Sequence, residues 1–397
     1  MLKIRSPSSK RLPHDNIMIV GIAILLSVLG YYALYMLSLK ALSRNKKLSL
    51  QPDHDFVPFV SIVIPAYNEI RMIEKRVKNF DTVEYPRDRL DVIFVDGAST
   101  DGTPEVIEHL AADGRPYIRV VRQPSRQGYN SAIYEGVCRA KSDIVVLGEV
   151  GGIFHEKALL NVVKHLADPN IGVVTGKPTA FNPNESLATR LECEYRNSHD
   201  QLRYAESKSD STPDMKGELL AFRKEIGLGL RPRETLPDIA SFDMAVSYKA
   251  RSFGLRAIFD PNAIVYEYVP TRMRERMIVQ IRRGTTFSGT LWSFRNMVLN
   301  RKYGYFGLLI LPSHFLILFV FPWMLLVAGL GLIMEAFYAP LQGLVVLGSV
   351  GVALLVGRSR YLLISFVLSQ IVLTIAGLRL LLRRHSQILN TVPTARR

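Results

Sequence analysis

The stretch "FVSIVIPAYNE", from Phe59 to Glu69, decides the fold of this chain. It is a short apolar run rich in Val and Ile that ends in a polar segment, a pattern typical of a buried β-strand followed by a loop. A second run of the same kind, "LDVIFVD", from Leu90 to Asp96, ends in the polar segment "GASTDGT". The pattern predicts two strands whose carboxyl ends carry polar loops.

The alternation of apolar runs and amphipathic helices continues along the chain. Further runs occur at "YIRVV", from Tyr117 to Val121, and at "SDIVVLGEVGGIF", from Ser142 to Phe154. Such alternation is typical of an α/β fold with a parallel sheet covered by helices. Ligands of open α/β sheets bind beyond the carboxyl ends of the strands. The sequence therefore predicts one cleft lined by three loops: Pro65 to Glu69, Asp96 to Thr103 and Gly148 to Gly152.

Both ends of the chain contain long apolar segments. Ile17 to Leu39 is nearly continuous apolar sequence without a charge, and about 20 such residues cross a bilayer. It is too long for the apolar region of a signal peptide, so we expect an uncleaved membrane anchor. Three further spans are predicted after Tyr303, at Phe315 to Met334, Leu341 to Val356 and Tyr361 to Leu382.

The charge of the chain is strongly basic, with 50 Lys and Arg against 35 Asp and Glu and a formal net charge of +15. Such an excess is typical of proteins that bind nucleic acid or an anionic membrane surface. Its placement favours the membrane over nucleic acid, because a group of cations precedes the second span with only Glu275 opposing them: Arg272, Arg274, Arg276, Arg282, Arg283, Arg295, Arg301 and Lys302. Cytoplasmic segments beside spans are rich in such cations. We therefore expect a multi-pass protein of the cell membrane with a cytoplasmic middle region, although the basic ends of the chain oppose this topology and leave the span count open.

The two motifs "VSIVIPAYNE" and "VIFVDGASTDGT" together resemble family 2 glycosyltransferases of the GT-A fold, and the resemblance extends from about Val57 to Gly284. It implies a Rossmann-like nucleotide-diphospho-sugar transferase domain attached to transmembrane helices. By the resemblance, the acid of the second motif, Asp96, recognises the nucleotide base of the donor. The residues of the first loop pack on the nucleotide: Pro65, Ala66, Tyr67, Asn68 and Glu69.

The resemblance continues through "GELLAFRKE", from Gly217 to Glu225, which is similar to the strand that the family places beside the acceptor. Farther along, the family has a Glu-Asp pair ahead of a helix, and the spacing to Gly254 puts Asp243 on the aspartate and Phe242 on the glutamate. The resemblance implies that Asp243 is the base of an inverting transfer. An ionised carboxylate in reach of the acceptor hydroxyl can take its proton.

The segment "QIRRG", from Gln280 to Gly284, resembles the Gln-x-x-Arg-Trp motif of the family, with Gly284 in place of the tryptophan. The resemblance places Gln280 and Arg283 at the donor diphosphate. A guanidinium suits this position because it offsets the negative charge of the leaving diphosphate.

At Glu149 the chain departs from the family, which has Asp-x-Asp where this chain has Glu149, Val150 and Gly151. In the family this motif holds the donor diphosphate through a divalent metal. Three interpretations stay open, in decreasing order of preference. The first is a weak Mg²⁺ or Mn²⁺ site on Glu149 and the diphosphate, the second a metal-free site with basic side chains, and the third a site that no longer catalyses.

The predicted domain order has five parts. They are a tail with the first transmembrane helix at 1–50, a cytoplasmic GT-A domain at 51–270, basic interface helices at 271–304, three transmembrane helices at 305–385 and a tail at 386–397.

The resemblance implies that the protein moves a sugar from a UDP- or GDP-sugar to a lipid-linked or growing glycan at the cytoplasmic face of the membrane. The alternative is a noncatalytic membrane protein that binds nucleotide sugars through a degenerate metal motif. A transporter is disfavoured, because that function would not explain the cytoplasmic domain between the predicted spans.

Overall fold

A computed structural model of the chain describes residues 14–48, 52–53, 55–338 and 359–382. The predicted span Leu341 to Val356 and the two predicted tails up to residue 13 and from residue 386 lie outside the described residues.

The centre of the protein is a mixed sheet in the order β3-β2-β1-β4-β7-β6-β8-β5. The first four strands are parallel, as the sequence predicts. The second half is mixed, because β7 runs antiparallel to both of its neighbours, β4 and β6, and β5 runs antiparallel to β8. The strands are β1 Val60–Ala66, β2 Leu90–Asp96, β3 Ile118–Arg122, β4 Ile144–Gly148, β5 Ile153–Phe154, β6 Ile171–Ala180, β7 Leu219–Arg223 and β8 Arg256–Glu267.

Helices cover both faces of this sheet, so the predicted α/β class is confirmed. One face packs against α2, α3 and α5, and the other packs against α4, α7 and α8. The described helices are α1 His14–Ser43, α2 Ile70–Asn79, α3 Thr103–Ala112, α4 Tyr129–Arg139, α5 Ala158–Val163, α6 Leu187–Ser209, α7 Lys224–Leu228, α8 Phe242–Ser252, α9 Met273–Ser293, α10 Leu311–Phe315, α11 Phe321–Tyr338 and α12 Ser359–Leu381. Two π-helical turns, Phe306–Ile310 and Leu316–Val320, flank α10 and make one continuous helical segment with α11.

Among the described residues, three helical segments are long and apolar enough to cross a membrane: Ile19–Ser43, Phe306–Met334 and Arg360–Leu381. They correspond to the first, second and fourth predicted spans. The second begins earlier than the predicted Phe315, because the helix already starts at Phe306, among apolar residues that pack against α1 and α6.

A buried polar junction joins α6 to the first two apolar helices. The Glu206 carboxylate is fully buried; its Oε1 accepts a hydrogen bond from Tyr35 Oη at 2.6 Å and lies 2.7 Å from His314 Nε2. Its Oε2 accepts a hydrogen bond from Thr212 Oγ1 at 2.7 Å. A buried charge is stable when it is hydrogen-bonded on all sides, so this junction fixes the sheet domain against the apolar helices.

The first prediction concerns the packing of α4 on the sheet. A Cβ atom at Gly136 would lie 2.3 Å from Val63 Cγ1, so Gly136→Ala must push α4 away from β1. We expect it to lower the free energy of unfolding by about 1–3 kcal/mol, measured as a lower Tm of the protein in detergent. Gly30→Ala is the control, because nothing lies within 4 Å of a Cβ there. An unchanged Tm for Gly136→Ala would contradict this packing.

Candidate active site

The loops that follow β1 and β2 are hydrogen-bonded to each other at the carboxyl edge of the sheet. Asn68 N donates to Ser99 Oγ at 2.9 Å, and Thr100 N donates to Asn68 Oδ1 at 2.9 Å. Asn68 and Ala98 have φ angles of 53° and 62°, a left-handed conformation that residues other than glycine rarely adopt. The hydrogen bonds join the two loops into one wall. Residues with such strained backbone cluster at ligand sites, so this wall is a candidate ligand site.

Of the five residues predicted in the first loop, Tyr67 and Asn68 lie in the loop itself. Pro65 and Ala66 belong to β1, paired with Val95 and Asp96 of β2. Glu69 is buried at the start of α2, where its backbone N–H donates to a side-chain oxygen of the second loop, Thr103 Oγ1, at 2.9 Å.

Asp96 ends β2 in the same wall and is 2% exposed. Its Oδ2 accepts a hydrogen bond from Ser99 N at 3.0 Å, whereas its Oδ1 is buried and has no hydrogen-bond partner among the described residues. A buried carboxylate oxygen without a partner is costly in a folded protein. A ligand N–H group would satisfy it. The Arg126 guanidinium lies 3.7 Å from the centre of the ring of Tyr67, a residue of the first loop, and sequence analysis missed this contact.

Asp243 lies in the first turn of α8. Its Oδ1 accepts hydrogen bonds from Ser241 Oγ and, at 3.0 Å, from Met244 N. Burial raises the pKa of the Asp243 carboxyl above its ordinary value, and the charge of Glu218 raises it further, against the hydrogen bond from Ser241. A raised pKa makes a carboxylate a stronger proton acceptor, as a general base requires.

Tyr129 is the first residue of α4, and its hydroxyl lies between carboxylates that are far apart in the sequence. Tyr129 Oη donates to Glu149 Oε1 at 3.4 Å. A Cβ atom at Gly217 would lie 2.9 Å from Tyr129 Oη and 3.2 Å from Asp243 Oδ2, so the absence of a side chain there lets these two groups approach. Burial raises the pKa of Tyr129, as do the charges of Glu149, Asp243 and Glu218, so the phenol stays protonated and donates.

Sequence analysis missed Tyr129, although its position directly after Gly128, at a predicted strand–helix boundary, was a weak signal. Gly128 has a φ of 94°, which sets the turn into α4.

Glu218 precedes β7 and brings Arg283 to the same edge of the sheet. Arg283 Nη2 donates to Glu218 Oε1 at 3.1 Å, and Leu219 pairs with Gly148, the residue before Glu149. Burial alone would raise the pKa of Glu218, but nearby cations, with Arg283 first among them, lower it below its ordinary value. Glu218 was not identified as a site residue from the sequence, although it lies within the "GELLAFRKE" motif.

The structure places Gln280 in a buried network with Glu192 and Arg283. Its Nε2 donates to Glu192 Oε2 at 2.7 Å, and Arg283 Nη1 lies 3.4 Å from Glu192 Oε1. Burial alone would raise the pKa of Glu192, but Arg196, Arg283 and the other basic neighbours lower it to about 2. Gln280 therefore helps to hold Arg283, and a direct contact of Gln280 with the donor stays a prediction.

The residues around Glu149 suit a cation that takes most of its ligands from elsewhere. Among the described residues, no three His, Cys, Asp or Glu side chains are grouped as a metal site. Val150, at the middle position of the former motif, is 2% exposed and faces the core. Mg²⁺ and Mn²⁺ can bind through one carboxylate together with substrate phosphates and water, so Glu149 fits such a site in the donor complex.

Gly284, where the family has tryptophan, lies against the last apolar helix. A Cβ atom there would lie 3.4 Å from Ala376 Cβ and 3.5 Å from Val372 Cγ1. A tryptophan side chain would displace α12 from α9, so the departure from the family motif is explained by close packing of these two helices.

Comparison with known proteins gives matches over most of the chain. The family model "Glycosyl transferase family 2" matches residues 61–227. A mannosyltransferase from Pyrobaculum calidifontis, solved in complex with GDP-Man and Mn²⁺, is 27% identical, with a TM-score of 0.79, and the match covers 93% of this chain and 100% of that chain.

Two curated relatives are poly-beta-1,6-N-acetyl-D-glucosamine synthases. The protein from Staphylococcus epidermidis is 22% identical over 60% of this chain and 57% of its own length. The protein from Staphylococcus aureus is 25% identical over 57% of this chain and 54% of its own length. The chain therefore spans little more than half the length of these relatives.

These matches agree with the α/β fold and the apolar helices described above, and they indicate a membrane protein. The region 61–227 therefore matches glycosyltransferase family 2, and the domain that contains it has a GT-A-like fold.

Proposed function

We propose that this enzyme is an inverting glycosyltransferase that moves a sugar from a nucleoside-diphosphate donor to a membrane-associated acceptor at the cytoplasmic face. The observation that supports this most is the partly buried Asp243 with its raised pKa, next to the Tyr129–Glu149 and Arg283–Glu218 pairs. A proton acceptor and a cation for the leaving group thus lie at one edge of the sheet.

The donor is bound between the two hydrogen-bonded loops at the ends of β1 and β2. The free Oδ1 of Asp96 accepts an N–H of the base, which both uracil and guanine present. Tyr67 and Asn68 pack against the nucleotide. GDP-mannose is the first donor to test, because the Pyrobaculum mannosyltransferase binds it, and UDP-N-acetylglucosamine is the second, because the staphylococcal relatives are synthases of a polymer of that sugar.

In the transfer, Asp243 accepts the proton of the acceptor hydroxyl while its oxygen attacks the anomeric carbon. Arg283, whose side chain is 29% exposed, turns its free N–H groups to the diphosphate and offsets the charge that develops there. Glu149 would hold a divalent cation, which supplies further charge stabilisation when bound. Tyr129 orients the Glu149 carboxylate through its hydroxyl.

The acceptor reaches this site from the membrane side of the domain. Both α6 and α9, which carry Glu192 and its partners Gln280 and Arg283, pack on the last apolar helix, α12. The cations that precede the second apolar helix support a cytoplasmic position for the domain.

We expect Asp243→Asn to keep donor binding but to lower turnover by about 10² to 10⁴-fold, because it removes the proton acceptor. In the wild type, kcat/KM should fall as the pH drops through a pKa higher than that of an ordinary aspartate, since the base must be ionised. A pH–rate profile and donor titrations measure both effects. Asp238→Asn, at a half-exposed position in the segment before α8, is the control. Full activity of Asp243→Asn would assign the base to another residue.

Asp96→Ala should weaken donor binding by about 1–3 kcal/mol, because the N–H group of the base loses its buried partner. Calorimetry with GDP-mannose and UDP-N-acetylglucosamine measures the change. Asp113→Ala, at a side chain 80% exposed directly after the carboxyl end of α3, should bind the donor as the wild type does. Equal affinity of Asp96→Ala and the wild type would remove Asp96 from the donor site.

Chelation with EDTA should abolish transfer, and added Mn²⁺ or Mg²⁺ should restore it, because Glu149 supplies one carboxylate to the cation. Glu149→Gln should require a higher metal concentration for half-maximal activity than the wild type. Glu156→Gln, at an exposed position after β5, should titrate with metal as the wild type does. Activity that survives exhaustive chelation would favour the metal-free interpretation, in which basic side chains neutralise the diphosphate.

A further inference from the structure

A small cavity lies between α6, the segment before β7 and α9, and basic side chains dominate its lining. Four cations face it together with an aromatic pair on α6 whose ring centres are 4.1 Å apart. These residues are Arg196, Arg203, Lys216 and Arg283 with Tyr195 and His199. Glu218 is the one carboxylate among the described lining residues.

The acids that pair with Lys216 and Arg203 lie outside the cavity. Lys216 Nζ donates to Asp214 Oδ1 at 2.9 Å, and Arg203 Nη2 donates to Asp200. Neither acid lines the cavity. The acids thus hold the cations in place from behind, while the remaining N–H groups stay available to the cavity.

Arg203 carries the strongest sign of a missing ligand. Its side chain is 2% exposed, and its Nη1 atom is buried without a hydrogen-bond partner among the described residues. A buried guanidinium N–H without an acceptor costs free energy, so a group that supplies an acceptor here binds favourably. Burial lowers the pKa of His199 to about 4, so its ring is neutral near pH 7. The neutral ring does not repel the four neighbouring cations.

The cavity adjoins the proposed base. Lys216 and Glu218 line it, and Gly217 between them lies against Asp243 and Tyr129. The helix that forms its other wall, α6, is joined to the first two apolar helices through Glu206. The cavity therefore lies between the membrane segments and the site of proton transfer.

We propose that this cavity binds a phosphate group of the acceptor and thereby holds the acceptor hydroxyl at Asp243. The inference rests on the proposed function, since it names the chemical class of the acceptor: a lipid-linked phosphate. The cavity has room for about one water-sized group and excludes a sugar ring or a base. One phosphoryl oxygen enters toward the Arg203 guanidinium, and another binds the more exposed ammonium group of Lys216 at the mouth of the cavity.

The test is a binding experiment on the full-length protein in detergent, without donor. The probes are decyl phosphate, decanol, which has the same chain without the charge, and inorganic phosphate, which has the charge without the chain. We expect decyl phosphate to bind, inorganic phosphate to bind more weakly and decanol not to bind. Lys216→Gln and the charge-conserving Arg203→Lys should each weaken decyl phosphate binding by about tenfold or more, because each removes charge-assisted hydrogen bonds.

Lys208→Gln is the matched control, since this lysine lies on α6 outside the cavity with its Nζ 5.8 Å from the centre of the Tyr204 ring. Arg203→Lys guards against misfolding, because it keeps the charge beside Asp200. Equal binding by the wild type and both cavity variants would overturn the proposal. So would equal binding of decanol, or inorganic phosphate as tight as decyl phosphate.

Competition by GDP or UDP would also overturn it, because the cavity would then belong to the donor diphosphate. Hydrolysis of GDP-mannose or UDP-N-acetylglucosamine by the wild type is measured separately. Donor hydrolysis without decyl phosphate binding would overturn the acceptor assignment and leave the glycosyltransferase proposal standing. Decyl phosphate binding without any turnover of donors would instead overturn the role of the cavity as an acceptor site.

Discussion

The Glu192 carboxylate is the interaction on which the active-site edge of this protein depends. It is 3% exposed and lies within 3.4 Å of nitrogen atoms of Arg196, Arg276 and Arg283, and Gln280 also donates to it. Removing one partner of a buried ion pair typically costs about 3–5 kcal/mol, because the other charge is left uncompensated. Since Glu192 belongs to α6 and three of its partners to α9, this contact joins the two helices and fixes the direction of Arg283.

Further charged and polar groups connect this contact to the rest of the candidate site. Arg283 reaches Glu218, Glu218 raises the pKa of the neighbouring Asp243, and the Tyr129 hydroxyl links the same region to Glu149. Burial raises the pKa of both Glu218 and Asp243, and the neighbouring charges decide the direction of the net shift. Where cations are near, as at Glu218, the carboxylate stays ionised, whereas Asp243 has a carboxylate neighbour and a raised pKa. Two neighbouring carboxylates therefore have different properties: Glu218 stays ionised and holds Arg283, whereas Asp243 is suited to accept a proton.

The apolar helices are connected to the same helix, α6, that carries Glu192. Glu206, on the face of α6 that carries Glu192 and Arg203, is buried with Tyr35 and His314 from two membrane-crossing candidates. Residues 3 or 4 apart recur on one face of a helix, so α6 presents its polar groups to the site along its length and to the apolar helices at its carboxyl end. The cavity around Arg203 lies between these two regions, which supports an acceptor that approaches from the membrane.

The sequence by itself determined the parallel half of the sheet, the apolar segments and the positions of Asp96 and Asp243, because these depend on local periodicity and on motifs of adjacent residues. The tertiary structure alone decided the rest. The antiparallel direction of β7 is invisible to periodicity, which marks a strand without its neighbours. Tyr129 and Glu218 lie at the candidate site, and Gln280 donates a hydrogen bond to Glu192. These contacts join residues that are distant in the chain, and only packing brings their side chains within hydrogen-bonding distance.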